Sequence, residues 1–183
     1  MSRFSTASGV MIDIRHISAD DILLDDIAHH LSKIQRFGGS TPIDVTYSVA
    51  EHCINLLRTF DDKNNMRIAL LHDASEYILG DMISPIKRQL PDYQKLEYHI
   101  QSMIYKKFLG FNPYENIRDN EVTYHDKRLL LDEAAEIMPE KLHLYQKELQ
   151  GLEPLNTYVT YNNNQSAVKN RWLQYAKELG VIH

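Results

Sequence analysis

Apolar residues recur at helical spacing along most of this chain. Side chains three or four residues apart lie on one face of an α-helix, so each apolar stripe predicts a helix with one face in the core. The stripes are Ile27, Leu31 and Ile34; Val45, Val49, Leu56 and Leu57; Ile68, Leu71, Ser75 and Ile78; Leu96, Ile100, Met103 and Ile104; Val122, Leu129, Leu130 and Ile137; and Val168, Trp172, Tyr175 and Leu179. The pattern predicts an all-α fold, a compact helical bundle.

Two stretches lack this pattern. Residues 3–17 mix Thr, Ser, Gly and β-branched residues, which predicts a short N-terminal hairpin or extended arm. Residues 151–164 are polar and contain a proline, which indicates a loop. Neither stretch has the composition of a flexible linker, and the chain has no internal repeat. We therefore expect one domain over residues 1–183.

Composition narrows the function classes. The net charge of −5 argues against a polymeric nucleic acid as partner, because such proteins usually carry a basic face. The chain has no apolar run of membrane-spanning length, no secretory signal pattern and only one cysteine. These features predict a cytoplasmic protein that contacts no membrane. A small anionic substrate fits this composition, since a metal ion and a few lysines can reverse the charge of one pocket.

Ionisable residues interrupt three of the predicted core faces. A buried carboxylate or imidazole costs several kcal/mol unless it is paired, hydrogen-bonded or bound to a metal. One such residue alone is usually just hydrogen-bonded, but several on separate helices indicate a shared site. The set comprises His52, His72, Asp73, Glu76, Asp126 and Glu133.

Four residues of this set supply two imidazoles and two carboxylates, namely His52, His72, Asp73 and Asp126. This mixture favours one divalent transition ion, such as Mn, Fe, Co, Ni or Zn, over Ca or Mg. The adjacent His72 and Asp73 differ by about 100° around a helix, so they can take neighbouring coordination positions. Four protein ligands leave one or two positions for water and substrate. Such an ion acidifies water and polarises phosphoryl oxygens, which is hydrolytic chemistry.

Short segments around these residues form a distinctive series. His-Asp-Ala-Ser-Glu at 72–76 is followed by Gly-Asp at 80–81, and Tyr-Ser-Val-Ala-Glu-His stands at 47–52. With further segments, the chain resembles the HD-domain phosphohydrolase superfamily, and within it the compact bacterial and phage 5'-deoxynucleotidases. That superfamily is marked by a distant His, an adjacent His-Asp pair and a later Asp. The further segments are 26–28, 36–39, 85–88, 90–93 and 122–133.

The resemblance implies an HD-domain bundle and roles for individual residues. The metal ligands would be His52, His72, Asp73 and Asp126. Glu76 would orient or deprotonate the attacking water, and Asp81 would position water or protonate the leaving oxygen. The substrate would be a small deoxynucleotide, and the relatives imply a homo-oligomer.

The resemblance also implies substrate contacts, each with a structural alternative. Arg36 would contact phosphate or sugar, or else complement a helix end. Phe37 would stack on the base, or else belong to the core. Lys87 would meet phosphate oxygens, as would Arg88, or else be a solvated lysine. Glu133 would hold Arg36 or a ligand histidine in place.

The phosphate count and two other classes of function stay open at this point. Relatives often carry a lysine three residues before the last ligand Asp and a small residue just before it, where this chain has Thr123 and His125. The substrate is therefore a monophosphate, which we favour, or a triphosphate, as in phage dATP triphosphohydrolases. A binuclear HD phosphodiesterase or oxygenase would need His99 or His125 as extra ligands. A non-catalytic nucleotide-binding protein would keep the fold without turnover.

Overall fold

The computed structural model describes residues 3–115 and 121–181, and most of these residues are helical. The helices are α1 (Leu24–Leu31), α2 (Val49–Leu57), α3 (Lys63–Leu71), α4 (Glu76–Leu79), α5 (Ser84–Lys87), α6 (Pro91–Leu109), α7 (Glu121–Ile137), α8 (Leu142–Glu148) and α9 (Gln165–Leu179). An antiparallel hairpin of β1 (Arg3–Ser5) and β2 (Met11–Asp13) precedes them. The predicted all-α bundle with an N-terminal hairpin is confirmed. In residues 3–115 and 121–181, every helix is too short or too polar for a bilayer span.

Helix α2 forms the centre of the bundle. All of its residues are buried, and it packs against α3, α7 and α9. Its start is fixed by a capping box, because the Ser48 hydroxyl accepts the Glu51 amide hydrogen while the Glu51 carboxylate accepts the Ser48 amide hydrogen at 2.8 Å. A cap of this kind stabilises a helix by about 1 kcal/mol. Any polar side chain on α2 therefore lies inside the core.

Helix α9 closes the bundle against α1, α2 and α3. Its Trp172 is fully buried, and truncating such a residue typically costs about 3–5 kcal/mol. The helix begins where the Asn164 side chain accepts the Ala167 amide hydrogen, and it ends at Gly180 in the left-handed conformation at φ 70°. The sequence stripe on this helix predicted both ends closely.

The sequence predicts one continuous helix from Ile68 to Ile78, but the structure breaks it at residues 72–75. Gln101 of α6 explains the break, because its buried side chain takes over the freed backbone groups. Its amide nitrogen donates to the Leu71 carbonyl at 2.7 Å, and its oxygen accepts from the Ser75 amide at 2.9 Å. The break lies at the predicted His-Asp pair.

Two further helix bounds differ from the prediction. Helix α1 ends at Leu31 and α2 begins at Val49, so Ile34 and Val45 lie outside both. Gln35 instead pairs with Ser48 in an isolated antiparallel bridge, and the Val49 amide donates to the Ile34 carbonyl at 3.0 Å. Helix α8 was not predicted, because none of its residues is buried and no apolar stripe marks it.

Candidate metal centre and substrate cleft

Helix α2, the end of α3 and helix α7 bring the four predicted ligands together. The Nε2 atoms of His52 and His72 lie 3.0 Å apart. Asp73 Oδ2 is 3.1 Å from His72 Nε2, and Asp126 Oδ1 is 3.1 Å from His52 Nε2. His52, His72 and Asp126 form a group that could hold a metal ion, and Asp73 lies at its edge, 3.8 Å from His52 Nε2.

The hydrogen bonds of the outer ring nitrogens fix how both imidazoles face this group. His72 Nδ1 is 2.7 Å from the Ala69 carbonyl oxygen, which can only accept a hydrogen bond. His52 Nδ1 is 2.5 Å from a carboxylate oxygen of Glu133. We assign the ring proton to Nδ1 in both residues, so in the neutral imidazoles both Nε2 atoms present lone pairs to the same point. Two lone pairs beside two carboxylates fit a bound cation.

The pKa shifts agree with this demand for positive charge. Burial lowers the pKa of His72, but the neighbouring Asp73 carboxylate and Cys53 together outweigh burial and raise that pKa well above its ordinary value. Burial would raise the pKa of Asp126, but the hydrogen bond and the charge of His52, together with the charges of His72 and Arg36, outweigh burial and lower the pKa. The pKa of Asp73 is lowered in the same way by His72. Charged carboxylates with imidazole nitrogens are a donor set that fits a divalent transition ion.

Arg36 lies against the same carboxylates. Its guanidinium nitrogens are 3.4 Å from Asp73 Oδ2 and 3.6 Å from Asp126 Oδ1. Burial disfavours its charge, but Glu133 and the two aspartates outweigh burial and hold its pKa well above the ordinary value. Arg36 is thus a permanent cation at the centre, 15% exposed, rather than a surface residue at a helix end.

Phe37 adopts a left-handed backbone conformation, with φ 58°. Such a conformation is uncommon for a residue that is not glycine and is typically strained by about 1 kcal/mol or more. Its half-buried ring stacks on Tyr47 at 6.2 Å and meets Tyr145 edge to face at 5.7 Å. The ring therefore packs on the rim of the core next to Arg36.

The two predicted acid–base residues lie where α4 begins and just after it ends. Glu76 is 3% exposed, and its Oε2 has no hydrogen-bond partner among the described residues. Burial, followed by repulsion from Asp73 and Asp81, raises the pKa of Glu76 well above its ordinary value. Burial also raises the pKa of Asp81, although Arg36 and Lys87 partly offset it. Both carboxyl groups therefore hold a proton more strongly than an exposed acid does.

A cleft of about 650 Å³ opens from the His72 and Asp73 side of the centre. Lys87 lies in its wall, bound to Glu97 of α6 at 2.6 Å. The same wall carries the exposed side chains of Tyr98 and Tyr114, whose ring centroids are 6.1 Å apart. The sequence analysis missed both residues, because only the tertiary structure brings them to this wall. The wall of the cleft thus contains the ammonium group of Lys87 and the rings of Tyr98 and Tyr114.

The other histidines considered as ligands lie outside the group of candidate metal ligands. His125 stacks on Phe60 at 4.4 Å, and its Nδ1 is 2.9 Å from the Thr59 hydroxyl. His99 is exposed on α6. Neither position favours a binuclear centre.

Comparison with known proteins places this site in a family. A family model described as 5'-deoxynucleotidase YfbR-like matches residues 26–120. The uncharacterized protein YfdR of Escherichia coli K12 is 35% identical over 137 residues, which span 75% of this chain and 73% of that protein. An uncharacterized protein of Rhodobacter capsulatus is 38% identical over 108 residues, which span 55% of each chain. The matched family segment ends before Asp126.

Proposed function

The chain belongs to the YfbR-like 5'-deoxynucleotidase family of the HD-domain superfamily and is a nucleotide phosphohydrolase. We propose that it cleaves 2'-deoxynucleoside 5'-monophosphates between the 5'-oxygen and phosphorus. The products would be a deoxynucleoside and phosphate. The observation that chiefly supports this proposal is the position of the Nε2 atoms of His52 and His72, 3.0 Å apart between two carboxylates.

We assign the metal ligands to His52, His72, Asp73 and Asp126. One divalent transition ion held there would supply Lewis acidity to the phosphoryl oxygens and would acidify water. His52 enters from the buried side of the centre and Asp126, whose side chain is 31% exposed, from the open side. This arrangement leaves the side toward the cleft for substrate.

Glu76 and Asp81 would move the protons of the reaction. The pKa of Glu76 is raised by burial and by its carboxylate neighbours, so it can take a proton from the attacking water. Asp81 lies after the end of α4, and its raised pKa suits donation of a proton to the departing 5'-oxygen. The cationic Arg36 would balance the negative charge of the phosphoryl group.

Charge pairing in the cleft favours a monophosphate over a triphosphate. Lys87 already binds Glu97 at 2.6 Å, and Arg88 lies 3.3 Å from Glu148. Extra phosphates would have to break these pairs, which costs part of the binding energy that they bring. Lys87, which lines the cleft together with His72 and Asp73, would contact one phosphate group, and Phe37 would contact base or sugar.

The decisive experiment is a substrate panel. Purified protein with Mn²⁺ or Co²⁺ is incubated with each dNMP, each dNTP and the matching ribonucleotides, and the products are separated. We expect deoxynucleoside and phosphate from at least one dNMP, with slower turnover of the triphosphate. An Asp126→Ala preparation controls for contaminating phosphatases. Intact nucleotides across the panel with both metals would overturn the proposal.

A further inference from the structure

We infer that Glu133 is a positioning residue, which holds His52 in the tautomer that presents Nε2 to the metal and holds Arg36 in place beside it. This inference rests on the proposed metal site. Glu133 lies on α7, two turns after Asp126, and it is fully buried. A charged group at such a position needs partners, and those partners identify its role.

One carboxylate oxygen of Glu133 binds two donors. Its Oε1 is 2.5 Å from His52 Nδ1 and 2.6 Å from the Tyr47 hydroxyl. Arg36 faces the same group, and a cation beside a buried acid favours its ionised form, so the group is a carboxylate. A carboxylate only accepts hydrogen bonds, and therefore both His52 and Tyr47 donate to it.

The other oxygen of Glu133 faces Arg36. Glu133 Oε2 is 3.7 Å from Arg36 Nε, and neither atom has a hydrogen-bond partner among the described residues. One buried carboxylate thus contacts a proposed metal ligand and the proposed phosphate-binding cation at the same time. A shift of Glu133 would disturb both.

A chain of hydrogen bonds fixes Glu133 itself. The Tyr47 hydroxyl, which donates to Glu133, accepts from the Asn55 amide at 3.0 Å. Asn55 in turn donates to the Thr160 carbonyl at 2.9 Å and accepts the Thr160 amide hydrogen at 3.1 Å. The network connects the proposed metal centre to the segment that precedes α9. None of the residues that line the cleft is Glu133, Tyr47, Asn55 or Thr160. These four residues therefore position others and take no part in the chemistry.

Replacement of Glu133 by Gln separates this role from simple space filling. The amide has almost the same shape, but it has one acceptor oxygen and one donor nitrogen. If the oxygen faces His52 and Tyr47, the nitrogen faces Arg36, and the reverse orientation sets a donor against His52 Nδ1. Either way the variant loses a charge that holds His52 basic and oriented, which typically weakens metal binding about 10–100-fold.

The test measures metal binding directly. Calorimetric titration of metal-free protein with Mn²⁺ gives the affinity, and the visible absorption of the Co²⁺ form reports ligand geometry. We expect Glu133→Gln to bind Mn²⁺ about 10–100-fold more weakly, with an altered Co²⁺ spectrum. Asp132→Asn is the matched control, because Asp132 is also on α7 but accepts the amides of Leu155 and Thr157 instead. The control should keep the parental affinity and spectrum.

A second variant covers the case in which Glu133→Gln does not fold. Tyr47→Phe removes one of the two donors to Glu133 Oε1, so it should weaken Mn²⁺ binding by a smaller factor and shift the Co²⁺ spectrum in the same direction. Parental affinity and spectrum in every folded variant would overturn the inference alone. Failure of the unmodified protein to bind Mn²⁺ or Co²⁺ would overturn the proposed metal site as well.

Discussion

The two ends of this site are built in different ways. At the inner end, His52 and Glu133 are fully buried on the long helices α2 and α7, and their hydrogen bonds leave them one arrangement. At the outer end, Lys87 and Glu97 are a quarter and a fifth exposed, and the short helix α5 carries the lysine. The inner end is fixed by core packing, whereas the outer end is held by an ion pair that water can reach.

We interpret the inner end as the part that would carry out the reaction and the outer end as the part that would select the substrate. A core that positions the proposed ligands can be rigid, since the same reaction is carried out on every substrate. An ion pair in a cleft can open or exchange partners when a phosphate arrives, because partly exposed pairs stabilise a protein by only about 1 kcal/mol or less. Changes at the inner end should abolish function, and changes at the outer end should alter which substrate is preferred.

The largest effect should come from the proposed ligands. Replacing Asp126 or His72 by alanine should remove bound metal and lower kcat/KM at least about 10³-fold, because a catalytic metal supplies several kcal/mol of transition-state stabilisation. Metal content by elemental analysis and circular dichroism check the two effects separately. Tyr124→Ala, an exposed position on the same helix, is the control. Full metal content in both ligand variants would contradict the assignment.

A smaller effect should come from Glu76, which lies between the two ends. Glu76→Gln should lower kcat by about 10²–10⁴-fold, the usual contribution of a general acid or base, while Mn²⁺ affinity is kept. The thermal midpoint of the metal-free protein should not fall, because the change removes a buried carboxylate that Asp73 and Asp81 repel. Loss of metal together with activity would instead identify Glu76 as a ligand.

The inner end could largely be predicted from the sequence, for a physical reason. His52 and Asp126 interrupt apolar stripes on helices, and a polar residue in a buried stripe is visible without coordinates. Helices α7 and α9 were predicted by the same kind of periodicity, and the hairpin was predicted from the composition of residues 3–17. The family signature at residues 72–76 then supported the proposed ligand set, although the helix that should carry this signature is broken there.

At the outer end the resemblance named Lys87, but the contacts of this residue could not be predicted, because they are tertiary. Gln101 breaks the helix at residues 72–75 through two side-chain bonds that no local pattern signals. Lys87 and Glu97 are separated by the turn between α5 and α6, and Tyr114 comes from a different part of the chain. Exposed residues of this kind carry no periodic constraint, so their meeting in one cleft appears only in three dimensions.

The smallest predicted effect tests whether the outer end sets the phosphate count. Glu97→Gln removes the carboxylate that lies 2.6 Å from Lys87 Nζ, so the freed ammonium should attract β- and γ-phosphates. The ratio of kcat/KM for a dNTP to that for the matching dNMP should rise about three- to ten-fold, since about 1.4 kcal/mol corresponds to ten-fold. Glu148→Gln should change the ratio less than about two-fold, because Glu148 and Arg88 are both 62% exposed and water already screens their pair. High salt should reduce the rise of this ratio in Glu97→Gln. An unchanged ratio at low salt would show that Lys87 does not face the phosphates and that substrate selectivity arises at the inner end.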